Sequence, residues 1–262
     1  MVAINGKIVW ITGASSGIGE GLAYALAAKN CKLILSGRNR EALEEVKSKC
    51  NTEVALLPFD LADFDHAKDH VAKALEAFGK IDVLINNGGI SQRSLLAETD
   101  FSVDKKLIEV DYLGVVALTK ALLPHFLQHK SGHFVTVTSL MGKFGSPYRS
   151  GYCGAKHALH GFFDVLRMEH QKDGINVTLI CPGFIQTNVA KNALTADGSK
   201  QITDDKATQN GMPVIVFAQK CIKAVEASKF EAYIGGKEVM GVYLKRFFPK
   251  FLHYFVLRST VR

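Results

Sequence analysis

The 262 residues include 47% hydrophobic side chains, 23 glycines and only six prolines, a composition that excludes disordered, collagenous and disulfide-scaffold chains and allows one large core. The net charge is +7, but residues 237–262 hold Lys237, Lys245, Arg246, Lys250, Arg258 and Arg262 against the single acid Glu238, leaving the rest of the chain near neutral. Such a body has no run of clustered phosphate contacts, so nucleic acid is not expected as a partner. Cys31, Cys50, Cys153, Cys181 and Cys221 are odd in number, widely spaced and without a CxxC pair. Neither a disulfide framework nor a metal site is implied, and a reducing compartment fits. The N-terminus passes directly into a strand-like run, with no signal-peptide pattern and no 18-residue apolar span anywhere. The expectation is a cytoplasmic protein, or one peripheral on a membrane facing the cytosol.

In chain order, short β-branched or leucine-rich runs alternate with longer amphipathic stretches. Strands are predicted over 7–12, 32–36, 53–58, 83–86, 132–139, 176–181 and 231–234. Helices are predicted over 18–29, 40–49, 64–78, 104–128, 152–171 and 214–227. Apolar strands separated by helices specify an α/β fold: a single Rossmann-type, doubly wound parallel sheet with helices on both faces, one domain over 1–262. The polar stretch 188–212 is longer than a connection needs and is a candidate substrate lid.

At the first strand-to-helix junction the chain reads Thr12-Gly13-Ala14-Ser15-Ser16-Gly17-Ile18-Gly19. Glycines there permit positive φ and close backbone approach, and the helix N-terminus behind them favours a pyrophosphate. The second strand ends Ser36-Gly37-Arg38-Asn39-Arg40, eighteen residues past Gly19 at Gly37. An NAD-selective fold would place an acid there for the ribose hydroxyls. Gly37 has no carboxylate and Arg38 offers a guanidinium to a 2′-phosphate, so NADP(H) is the expected cofactor. A Walker-type nucleotide site is excluded, because no Lys-Ser/Thr follows the turn.

Thr12-Gly13-x-x-x-Gly17-x-Gly19, Asn86-Asn87-Gly88-Gly89, Ser139, Tyr152-x-x-x-Lys156 and Pro182-Gly183 fall in an order and spacing that resembles the short-chain dehydrogenase/reductase superfamily over residues 7 to about 190. The strings Asn-Asn-Gly-Gly-Ile-Ser-Gln-Arg-Ser-Leu and Tyr-Cys-Gly-Ala-Lys-His-Ala-Leu are similar to the dehydrogenase/reductase member 7 subgroup, relatives of the 11-beta-hydroxysteroid dehydrogenases. The residues themselves suit the chemistry. Hydride transfer between a nicotinamide and a carbonyl leaves an alkoxide that needs a proton, and a phenol beside it can supply one. Tyr152 and Lys156 are four apart on one helix face, so the ammonium can favour the ionised phenol. The resemblance assigns Tyr152 as acid/base, Lys156 to the phenol and the ribose, and Ser139 to the substrate carbonyl.

By matching positions the resemblance also implies cofactor contacts at Gly13, Ser15, Ser16, Gly17, Ile18, Gly19 and Arg38. Asp60 and Leu61 would lie beside the adenine, Asn87 and Gly88 near its ribose, and Val110 beneath the sheet's edge. Pro182, Gly183, Ile185 and Thr187 match the segment that holds the carboxamide. One position departs: where the family carries Asn in the catalytic set, this chain has Asp111, nearly isosteric but without the amide donor. A protonated Asp111 or a rearranged bond would each keep the geometry, and a sensor or scaffold with little turnover is the alternative function.

Leu140, Met141, Phe144, Pro147, Tyr148 and Phe184 are expected around the substrate, with no cation placed to clamp an acid. The favoured substrate is a small apolar ketone, aldehyde or alcohol, with steroids and retinoids as the resemblance implies. In the tail, 240–262, Leu244, Phe247, Phe248, Phe251, Leu252, Phe255 and Val256 recur at helical spacing among basic residues, with Pro249 dividing two short helices. Such a stretch suits either an anionic membrane surface or packing on the protein or a partner subunit. The resemblance implies a homodimer or homotetramer.

Overall fold

The computed structural model describes residues 3–258; Arg262 and the last residues of the predicted tail lie outside the described residues. Seven strands, β1 (Ile8–Thr12), β2 (Lys32–Ser36), β3 (Val54–Leu56), β4 (Val83–Asn86), β5 (Gly132–Val137), β6 (Ile175–Pro182) and β7 (Glu231–Ile234), form one sheet in the order β3-β2-β1-β4-β5-β6-β7. Every pairing is parallel. The helices are α1 (Gly17–Ala27), α2 (Arg40–Ser48), α3 (Ala67–Phe78), α4 (Phe101–Ile108), α5 (Gly114–His129), α6 (Ser150–His170), α7 (Lys206–Gln209), α8 (Val214–Glu226), α9 (Met240–Phe247) and α10 (Pro249–Arg258).

Strand periodicity sorts the core. Val9 and Ile11 of β1 point into one apolar layer with Leu22 and Leu26 of α1 and Phe217 of α8. Ile8 and Trp10, the alternate residues, join Phe126 of α5 and Leu159 and Phe163 of α6 on the opposite face. Both faces are thus covered, which is why β1 reads as an unbroken apolar run and is buried throughout. The order of connection reverses between β1 and β4, so a crevice opens at the C-terminal ends of those two strands, where open α/β sheets bind ligands.

Three features refine the expectations. The helix predicted over 104–128 is two helices joined by a π turn, Glu109–Leu113. Gly114 follows it because a side chain there would lie 2.3 Å from the Leu61 carbonyl oxygen. Asp111 lies within this turn and is fully buried.

The candidate lid, 188–212, is tied to the body of the protein at several points. Leu194 donates its N–H to the Ser91 carbonyl and accepts that of Arg93, both at 2.8 Å, and Ala190, Ala193, Asp205 and Thr208 are buried. The tail does divide at Pro249, which opens α10 at the position where proline fits a helix best. Its stripe is split, though. Leu252 is buried in a third cluster with Leu140, Phe144 and Cys181, whereas Phe247, Phe248, Phe251 and Phe255 are 60–68% exposed. Among the described residues no helix is long and apolar enough to cross a membrane.

Candidate active site

The turn after β1 is held open by its glycines. Gly13 and Gly17 have φ of +63° and +57°, where a side chain is strained. A Cβ at Gly13 would lie 2.6 Å from the Gly88 Cα, and one at Gly19 would lie 2.2 Å from the Gly13 oxygen. Thr12 Oγ1 accepts the N–H groups of Asn87 (3.1 Å) and Gly88 (3.0 Å), and Asn87 Nδ2 donates to the Thr12 and Gly13 carbonyls at 3.0 and 3.2 Å. The ends of β1 and β4 are thereby pinned together. Ser16 occupies the cap position of α1 yet makes no side-chain cap bond. On the far side, Thr187 Cγ2 stands 3.2 Å from where a Gly17 Cβ would be, so the strip after β6 returns to the turn. A cleft of ≈ 580 Å³ begins there at Ser16, Gly17 and Thr187 and runs along α1, past Glu20 and Tyr24, to Asp204 and Val214.

The turn, which lacks a Cβ at Gly13, Gly17 and Gly19 beside a helix N-terminus, fits the pyrophosphate of a nicotinamide dinucleotide. At the adenosine end, Ser15 Oγ fills the space beside Gly37. Arg38 is mostly exposed, 3.8 Å from the Asp60 carboxylate, and that carboxylate also accepts the Ala62 N–H at 3.0 Å. Leu61 packs over Gly88. Ile18 packs against the core and Ile185 lies within it. Val110 is buried beside Asp111 in the π turn.

At the ends of β5 and α6 three predicted side chains converge. Ser139 accepts the Met141 N–H at 3.1 Å and stands close enough to Tyr152 to lower its pKa. The Lys156 ammonium lies 5.6 Å from the Tyr152 ring centre. The same ammonium is 3.3 Å from Asp111 Oδ2, with side chains 5% and 0% exposed. Oδ2 makes no directed hydrogen bond, so the attraction is mainly coulombic, while Oδ1 accepts the Ile90 N–H at 2.7 Å. Burial raises the Tyr152 pKa and Asp111 adds to the rise, against the lowering by Lys156 and the Ser139 hydrogen bond. Burial depresses the Lys156 pKa, but Asp111 and Tyr152 together carry it above its ordinary value. The expectation that the ammonium favours the phenolate holds for its own contribution; burial and Asp111 outweigh it.

Of the predicted substrate side chains, Leu140 and Phe144 are buried against the tail, and a Cβ at Gly241 would lie 2.7 Å from the Phe144 ring. They back the wall of the site. Met141, Pro147, Tyr148 and Phe184 are half-buried.

Four side chains that support the site were not found from sequence. Gln92, fully buried, accepts the N–H groups of Gly151 (2.9 Å) and Tyr152 (3.4 Å), capping the helix that carries the phenol. Arg93, inside the quoted Asn-Asn-Gly-Gly string, donates from Nε and Nη2 to Asp205 Oδ2 at 2.9 and 2.7 Å. Arg149, three residues before Tyr152, lies 3.6 Å from the same oxygen. Burial lowers its pKa to about 10, with Arg93 adding to the fall. Glu238 accepts the Phe184 N–H at 3.0 Å and the Gly236 N–H at 2.9 Å, and lies where Gly183 leaves room: a Cβ there would be 2.1 Å from its oxygen. A lone acid in a basic tail was the available signal for this last one.

Comparison with known proteins agrees with this geometry. The family described as short chain dehydrogenase matches residues 7–198. Dehydrogenase/reductase SDR family member 7B of Rattus norvegicus is 39% identical over 269 residues, covering 99% of this chain and 82% of the relative. Dehydrogenase/reductase SDR family member 7 of Homo sapiens is 46% identical over 207 residues, 76% of this chain and 61% of the relative. Among solved structures, a short chain dehydrogenase/reductase from Burkholderia phymatum in complex with NAD has a TM-score of 0.84 at 23% identity, covering 94% of this chain and 95% of that one. An alcohol dehydrogenase from Thermococcus sibiricus complexed with 5-hydroxy-NADP has a TM-score of 0.75 at 26% identity, over 88% of this chain and 97% of that one. Since the family match takes in most of the sequence and the rat relative aligns with nearly all of it, the chain belongs to the short-chain dehydrogenase/reductase family, oxidoreductases that work with a nicotinamide cofactor.

Proposed function

We propose that the protein is an NADP(H)-dependent oxidoreductase that interconverts a carbonyl and an alcohol on an apolar substrate such as a steroid or retinoid. The observation that carries the reading is the convergence of Ser139, Tyr152 and Lys156 at the strand ends beside the glycine cradle. The nicotinamide, when bound, supplies or accepts the hydride. Tyr152 Oη gives its proton to the oxygen that becomes the alcohol, and takes it back in the reverse direction. Ser139 Oγ hydrogen-bonds that oxygen and holds it near the phenol. Lys156 orients the phenol and is placed to bind the ribose hydroxyls, while Pro182, Gly183, Ile185 and Thr187 would hold the carboxamide. Support for NADP(H) is the missing acid at Gly37 together with the exposed guanidinium of Arg38. Met141, Tyr148 and Phe184 support an apolar ligand.

The exposed Phe247, Phe248, Phe251 and Phe255 beside Lys245, Arg246, Lys250 and Arg258 favour a peripheral seat on an anionic, cytosol-facing membrane surface. Exposed Leu113, Val165 and Met168, near and on α6, favour a homodimer or homotetramer built on the helices beside the site. Asp111 supports one second reading, a cofactor-binding sensor with little turnover. The deciding assay is NADPH oxidation at 340 nm with steroid ketones, retinals and small aromatic carbonyls, run beside Tyr152→Phe. Turnover lost by about 10²-fold or more in the variant is expected. Tight NADPH binding with no Tyr152-dependent turnover would replace the enzyme reading by the sensor.

A further inference from the structure

Asp111 has two polar neighbours, and both are donors: the Ile90 N–H at 2.7 Å from Oδ1 and the Lys156 ammonium at 3.3 Å from Oδ2. A protonated carboxyl needs an acceptor for its own hydrogen, and an ammonium offers none. The arrangement is that of an ionised carboxylate paired with a lysine inside the protein, 0% and 5% exposed. Burial leaves the carboxyl's pKa above its ordinary value, with the ammonium and the Ile90 N–H pulling against that rise, and it is the two donors without an acceptor that favour the ionised form. Asparagine in this position would leave the Lys156 charge whole. Aspartate neutralises much of it at close range, in a setting where solvent screens little.

The consequence falls on Tyr152, one helical turn before Lys156. The charged or polar groups facing its phenol are Lys156 and Cys153 from its own helix, Arg149 just before that helix, Asp111 from the π turn and Ser139 from the end of β5. Cys153 is a buried thiol whose pKa is raised, so it stays neutral, and Arg149 is drawn to Asp205. On top of burial, which already disfavours the phenolate, the balance between Lys156 and Asp111 therefore tunes how readily the phenol gives up its proton. We propose that Asp111 is a positioning residue whose carboxylate holds the Lys156 ammonium and offsets its charge, so that Tyr152 stays a protonated donor to carbonyl substrates further into the alkaline range than an Asn-bearing site would allow. The site then reduces carbonyls over a broad pH range and oxidises alcohols only at higher pH. The overall equilibrium is untouched, because both directions share the one phenol.

The inference rests on Tyr152 being the acid/base group, and its first test needs neither substrate nor cofactor. Tyrosinate absorbance at 295 nm is titrated in the cofactor-free protein, and the curve of Tyr152→Phe is subtracted to isolate the one phenol. The same pair is then measured in the Asp111→Asn background. The Tyr152 midpoint is expected to fall by about 1–2 pH units in Asp111→Asn. Asp111→Ser, lacking both carboxylate and amide, is expected to move it the same way, because the charge is the cause. Where activity is found, the alkaline fall of reduction and the alkaline rise of oxidation should shift down together. An unmoved midpoint in Asp111→Asn overturns the proposal. So does a fall in Asp111→Asn that Asp111→Ser lacks, since that would assign the effect to the amide. A shifted midpoint without turnover would instead sink the enzyme reading and leave this electrostatic coupling in place.

Discussion

Replacing Asp205 by asparagine should unlatch the segment 188–212 without unfolding the sheet. Asp205 Oδ2 receives two N–H groups of Arg93 and faces Arg149, with side-chain exposures of 3%, 4% and 5%. Removing the charge leaves two guanidinium groups buried with no carboxylate between them, and breaking a buried pair in this way costs about 3–5 kcal/mol. The cost is capped, because lifting the segment exposes both guanidinium groups to water. At 1.4 kcal/mol per tenfold, the open population rises by about 10²-fold to several thousand-fold. The assay is limited trypsin digestion followed by mass spectrometry, reading cleavage after Lys191, Lys200 and Lys206. When closing is fast relative to cutting, the rate reports the open fraction. The global melting temperature should fall by only about 2–4 °C, the equivalent of 1 kcal/mol in a chain of this size. Unchanged cleavage at these three lysines would refute the reasoning. In the unmodified protein burial works to raise the Asp205 pKa, but Arg93, Gln201 and Arg149 together bring it below the ordinary value. The latch is therefore intact above the usual carboxylate pKa, and it is lost only as pH falls through the lowered one.

Acid should also act through His133. Its imidazole is buried, bonded at Nε2 to Thr178 (2.9 Å), with Nδ1 lacking a partner, and burial lowers its pKa to about 4. The unfolded chain takes up a proton near pH 6.5 while the folded one does not, so about 3 kcal/mol is lost between about pH 6.5 and 4. Urea denaturation of His133→Asn at pH 7.5 and 4.5 should show that part of the loss removed; equal losses in both proteins would rule out His133 as its source. For the tail, Phe247→Ser with Phe251→Ser should abolish co-sedimentation with phosphatidylserine vesicles and leave the melting temperature within about 3 °C, since both rings are exposed. Undiminished binding would exclude the tail as the membrane contact.

The sheet and the glycine cradle were legible because their causes are local. An apolar run such as Ile8 to Thr12 and a glycine turn before a helix depend on neighbours in sequence. Tyr152 and Lys156 could be paired from helical spacing alone, and the resemblance supplied Ser139. What stayed hidden has distant causes. The π turn at Asp111 forms where Gly114 meets the Leu61 carbonyl, and no periodicity in the helix itself announces it. Nothing in the polar run 188–212 marks its anchor, because Asp205 is tied to a guanidinium 112 residues earlier. Leu140 and Phe144 were rightly read as apolar, but an apolar residue carries no mark of whether it faces a ligand or another helix. Here they face α10 and its neighbours.

That last contact orders events during synthesis. The wall beside Ser139 is backed by Leu252, with Val239, Val242, Leu244 and Val256 packed around it, more than a hundred residues downstream. A ribosome-bound chain can assemble six strands, the glycine turn and the catalytic helix while Leu140 and Phe144 are still bare. Sticky apolar surface is then exposed at the mouth of the site until α9 and α10 emerge, a period of seconds at ordinary elongation rates. Competence therefore waits on α10, and a nascent chain that stalls before residue 252 holds its catalytic side chains on an unfinished wall.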